Sequence, residues 1–177
     1  MLPERCRQLQ IGVSFVGGRH QDGDMNAADQ ARSLELAQAI ASAAVLFRGH
    51  FPDARANLTP WRDDPVTRAW AETESVDLSF HFPGWNPRNQ CRSMLVQLRL
   101  DAAPALGRPR LLGVVIRGLT YESERWRLAT VGDWQPTGSH LPQPAVIERL
   151  QQVCRDLFAL FDDRDNQAHD QADDQAA

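Results

Sequence analysis

Between Val76 and Val131 the chain runs through four stretches that each read as a β-strand, and this succession constrains the fold more than any other feature. In "SVDLSFHF", Val76, Leu78, Phe80 and Phe82 share one face, while Asp77, Ser79 and His81 share the other. That period of two is the mark of a half-buried strand. "SMLVQLRL" repeats it, with Met94, Val96, Leu98 and Leu100 inward and Ser93, Gln97 and Arg99 outward. "LLGVVIRGLTY" is apolar on both faces, as a central strand is, and "ERWRLATV" folds back on it across a short turn at Glu122 to Glu124, forming a hairpin.

The flanking segments have a different rhythm. An N-terminal strand is expected in "LQIGVSFV", from the alternation of Leu9, Ile11, Val13 and Phe15. A long helix follows, capped by Asp24 or Asn26 and running to about Arg48, with Leu36, Ile40, Ala43 and Phe47 on one stripe and Gly49 as its stop. Pro52 and Pro60 bracket a short edge strand around Asn57 to Thr59, and Asp64 with Pro65 starts a short helix reaching about Thr73. The last helix spans Pro144 to Phe161, with Ile147, Leu150, Cys154, Leu157, Phe158 and Phe161 opposite Glu148, Arg149, Gln152 and Arg155.

This order predicts an α+β domain over residues 1–161: a largely antiparallel sheet of about five strands with the long helix, the short helix and the C-terminal amphipathic helix packed on one face. Residues 162–177 hold six aspartates, one arginine and no large apolar group, so an acidic disordered tail is expected.

Charge layout narrows the partner classes. The net charge is −4, but the tail accounts for −5, so residues 1–161 carry about +1. From Trp85 to Arg127 eight arginines face only Asp101, Glu122 and Glu124. All nineteen basic residues are arginine. Without lysine, a Walker-type phosphate loop and Schiff-base chemistry are excluded.

Other chemical signatures fail on spacing. Asp77, Ser79 and His81 resemble a hydrolytic triad in type, but neighbours at i and i+2 on a strand stand ~7 Å apart, too far for nucleophile and base. "DGDMN" begins like a calcium loop, then has Ala27 where the turn needs glycine and Ser33 where a glutamate belongs. "VGGRH" is a weak phosphate cradle, since the helix starts several residues later. The five histidines show no metal-ligand spacing, and Cys6, Cys91 and Cys154 are odd in number and far apart. No metal and no cofactor is expected, nor any membrane span. Unpaired thiols and the charged N-terminus suggest the cytoplasm.

What remains is a loop with costly residues, "HFPGWNPRNQCR". Trp85, Arg88, Asn89 and Arg92 are of the types that concentrate binding energy or donate many hydrogen bonds, although Trp85 folding back over the sheet would explain the tryptophan equally. A second loop, "GDWQPTGSH", has a similar recipe and is expected to flank the same surface. The favoured expectation is a non-enzymatic protein-interaction or assembly factor using the Trp85 loop and an arginine-bearing sheet face. The alternative is a nucleic-acid or anionic-ligand binder, with Arg92, Arg99, Arg117 and Arg127 on phosphates and Trp85 and Trp126 stacked on bases. A third is a small enzyme with a ligand site near Asp77, His81 and Arg99. Oligomeric state is not legible.

Overall fold

The structure, a computed structural model, describes residues 26–60, 75–101 and 109–174, with side chains through Asp162. Six strands form one sheet in sequence order: β1 (Arg55–Asn57), β2 (Ser75–Asn86), β3 (Cys91–Leu100), β4 (Leu111–Leu119), β5 (Glu124–Ala129) and β6 (Thr137–Gly138). Every neighbouring pair is antiparallel. Three helices accompany them: α1 (Ala27–Gln30), α2 (Leu34–His50) and α3 (Pro144–Asp174). The chain is an α+β domain with an antiparallel sheet.

The four strands between Val76 and Ala129 form where the sequence predicts them. Cross-strand rows such as Leu78↔Val96 and Val96↔Ile116 continue through Ile116↔Leu128, stacking apolar side chains on one face. Against this face lie Ala39, Ile40, Ala43 and Phe47 of α2 and Val146, Leu150, Val153, Cys154, Leu157 and Phe161 of α3, all buried. Phe47 stacks on Phe80 with ring centroids 3.9 Å apart. The His50 ring meets Asp156 Oδ2 at 2.9 Å, joining the end of α2 to α3.

Several boundaries depart from the sequence reading. The single long helix is two, because the chain breaks after Gln30 and restarts with Ser33 as cap, its Oγ accepting from the Leu36 amide at 3.1 Å. A serine that could lie mid-helix serves the helix start better. The edge strand sits at Arg55–Asn57 rather than Asn57 to Thr59, and β6 is an additional strand inside the proline-rich loop. Helix α3 passes Phe161, its expected end, and continues to Asp174 through the segment read as a tail. The expected strand at Leu9 to Phe15, the short helix from Pro65 to Thr73, the "VGGRH" turn and Cys6 lie outside the described residues.

The largest departure concerns the second face of the sheet. Ser75, Asp77, Ser79, Leu95, Gln97 and Arg117 are each at most 5% exposed, so this face, expected to point outward and to be either solvated or joined by cross-strand hydrogen bonds, is largely buried and takes the second form. Its polar groups are joined to one another. Ser75 Oγ donates to Asp77 Oδ1 at 2.6 Å and Gln97 Nε2 to Asp77 Oδ2 at 3.2 Å. Arg117 Nε donates to Gln97 Oε1 at 2.8 Å, and its Nη1 to Glu124 Oε2 at 2.6 Å. This chain of bonds crosses β2, β3 and β4 to the start of β5. Alternation alone cannot separate a solvated polar row from a buried, mutually satisfied one.

Candidate functional site

The antiparallel order brings the β2–β3 turn and the β4–β5 turn to one end of the sheet, and the Trp85 segment lies there. Asn86 shapes the first turn, its Oδ1 accepting from the amides of Arg88 and Asn89, each at 3.1 Å. Gln90 closes it in the left-handed region with φ 54°. Two further bonds pin the turn to the body. Trp126 Nε1 donates to the Asn89 carbonyl at 2.7 Å, and the Gln143 amide, just before α3, donates to the Arg88 carbonyl at 2.9 Å. The turn is therefore held by β5 and by the root of α3 together.

Trp85 stands on this platform 41% exposed, with the Arg125 guanidinium 5.5 Å from its ring centroid. At the same end of the sheet, the Arg92 guanidinium lies 4.7 Å from the centroid of Tyr121, which is 83% exposed. Two arginine–aromatic pairs thus share one sheet end, with Arg88 exposed next to them. Arg125 Nε is buried and has no hydrogen-bond partner among the described residues. Leaving a donor unsatisfied is costly.

The structure sorts the other expected site residues. Trp126 is fully buried and cannot stack on a base; its ring lies over Gly118 in the core. Asn89 is 4% exposed and supports the turn from within. Arg117 and Asp77 are held in the polar chain, so neither offers the open-surface contact expected of it. His81 is exposed but bonds its own strand neighbour, Ser79 Oγ, at 3.0 Å, while Asp77 is directed to Ser75 and Gln97. Asp77, His81 and Arg99 accordingly do not form one open site. Arg99 and Arg127 are exposed and line a separate cleft. Trp134 lies at the other end of β5 and stacks on Phe158 of α3 at 5.9 Å, whereas the end of its loop returns to Arg125, whose carbonyl accepts from the His140 amide at 3.3 Å.

Sequence reasoning passed over Tyr121 and Arg125. In the sequence Tyr121 reads as the end of a strand, although "TYES" contains the turn, and Arg125 adds only to the local arginine excess. Only the return of β5 beside the Trp85 segment brings them together.

No group of three or more His, Cys, Asp and Glu side chains with metal-binding geometry occurs among the described residues. No described helix is long and apolar enough to cross a membrane. Cys91 and Cys154 are free and buried, and burial pushes each thiol up to about 12.

These features describe an α+β domain of six meandering strands with a rigid, arginine- and aromatic-bearing end. The chain belongs to a family defined as a domain of unknown function, whose family model matches residues 28–163. No curated protein and no solved structure matches it.

Proposed function

We propose that this domain is a protein-interaction module, acting as an adaptor or assembly factor, whose contact surface is the sheet end formed by Trp85, Arg88, Arg92, Tyr121 and Arg125. The observation that carries the reading is the pairing of Arg125 with Trp85 and of Arg92 with Tyr121 on one pinned turn platform. Tryptophan, tyrosine and arginine are the residues most often responsible for interface energy. A platform fixed in advance lowers the entropy lost on association, so few side chains suffice for useful affinity. The free, deeply buried Cys91 and Cys154 fit a reducing compartment, and the cytoplasm is the proposed location.

The nucleic-acid alternative loses support because Arg117 is buried in the polar chain, Arg92 lies at the Trp85 end away from Arg99 and Arg127, and Trp126 is internal. The test is site-specific photo-crosslinking with p-benzoylphenylalanine in place of exposed Arg88, in cells, followed by mass spectrometry. One protein enriched over an otherwise identical crosslinker at exposed Glu148 supports the proposal. Equal recovery from both positions, or no protein at position 88, contradicts it.

A further inference from the structure

Away from the Trp85 end, the second face of the sheet carries a cleft of about 420 Å³, within the size range of small-molecule sites. Register explains its form. The Arg127 row, through Arg117, and the Arg99 row, through Gly113, are separated by the row of Gln97, Val115 and Ala129. Arg99 and Arg127 also lie on strands separated by β4. Ideal sheet spacing puts their Cα atoms roughly 16 Å apart on a diagonal, with Val115 between them. The cleft therefore has an apolar floor, Val115 and Ala129, and a guanidinium at each of two opposite corners.

Arg127 is exposed and has no hydrogen bond or ion pair among the described residues. Asp133 contributes a carboxylate to the rim, and its Oδ1 already accepts from the Gln135 amide at 3.1 Å, which fixes its direction. Two cations and one anion over a small apolar floor suit one kind of molecule. A polyanion would meet Asp133 with like charge, and an uncharged apolar molecule would strip water from the Arg127 guanidinium without return.

We infer that this cleft binds a small organic oxyanion, a carboxylate or a phosphate monoester, which places its charged head on Arg127, its carbon body on Val115 and Ala129, and a hydroxyl or amine donor toward Asp133. Guanidinium groups suit both heads because their paired N–H donors match two oxygens of either. The site is separate from the proposed contact surface, and neither requires the other.

Calorimetric titration of the full chain with glycerol 3-phosphate and with 3-hydroxybutyrate tests it, with ethyl phosphate and butyrate as analogues lacking the hydroxyl. Saturable one-to-one binding of at least one hydroxyl-bearing probe is expected, weakened about tenfold by Arg127→Ala through loss of a charge-assisted contact. Asp133→Asn should narrow the preference for that probe over its analogue. Arg88→Ala, at the other surface, should leave binding unchanged, and all three variants should keep the parent melting temperature because these side chains are exposed. No saturable binding of any probe overturns the inference. So does binding that survives Arg127→Ala, or that Arg88→Ala weakens equally.

Discussion

Trp85 and Trp126 are the same residue type on neighbouring elements, and their surroundings give them opposite roles. Trp126 is fully buried and fills the space over Gly118, where an added Cβ would come within 2.2 Å of its Cε2. Trp126→Ala should cost about 3 to 5 kcal/mol, and Gly118→Ala about 1 to 3 kcal/mol by overpacking, both measured by chemical denaturation. A Gly118→Ala protein as stable as the parent would show that the ring has room to move. The role of Trp126 was legible in principle, since Trp126 and Leu128 alternate with Arg125 and Arg127. The charge of those neighbours drew it to the surface reading, whereas parity and the glycine opposite it on β4 put it inside. At Cys91 and Cys154 burial disfavours the thiolate, raising each pKa from the ordinary 9.0 to about 12. A raised thiol pKa in the folded state means that the associated stability is fully present below about pH 9 and is lost as pH rises from 9 toward 12. Denaturation midpoints should fall across that window. At pH 8 iodoacetamide should modify neither thiol until denaturant is added, as read by peptide mass spectrometry. Rapid labelling of the native protein at either position would contradict their burial.

At the scale of the element, the strands with one clear apolar row were legible and the helix ends were not. Two strands followed from period-two alternation, and two from an apolar run with its hairpin return, because an apolar row of each meets the same helices. The chain break before Ser33 was not legible, because a run rich in alanine and leucine satisfies helix propensity on either side of it, and only the Ser33 cap decides the restart. Helix α3 presents the reverse case. Phe161 is 3% exposed and is the last buried residue among those whose side chains are described, although the helical backbone reaches Asp174. Beyond Phe161 the sequence holds six aspartates and no large apolar residue that could repay packing on the core. Truncation after Asp162 should leave the melting temperature within about 2 °C of the full chain while reducing the far-ultraviolet helical signal, as loss of an appended helix requires. A melting temperature lower by many degrees would show that the last turns pack on the body.

For the whole molecule, the antiparallel meander decides which distant residues meet. Composition and spacing found Trp85, Arg88 and Arg92 because they are close in sequence, but Arg125 and Tyr121 join them only through the return of β5 and the turn before it. They also grouped Asp77, His81 and Arg99, which the fold divides between a buried polar chain, a strand-local histidine bond and an open cleft. Side-chain type gave the chemistry of each group, and burial on both sheet faces, invisible in a single sequence, decided its access. The central claim is that the two arginine–aromatic pairs form a binding surface rather than a structural cover. It is tested most directly by measuring the Kd of the protein recovered at position 88 for the parent chain and for a Trp85→Ala, Tyr121→Ala double variant, each checked by chemical denaturation. Both side chains are substantially exposed, so the account predicts a stability loss of about 1 kcal/mol or less and a Kd raised at least a hundredfold, as removal of two interface anchors gives. An unchanged Kd, or a loss of several kcal/mol in stability, would contradict it.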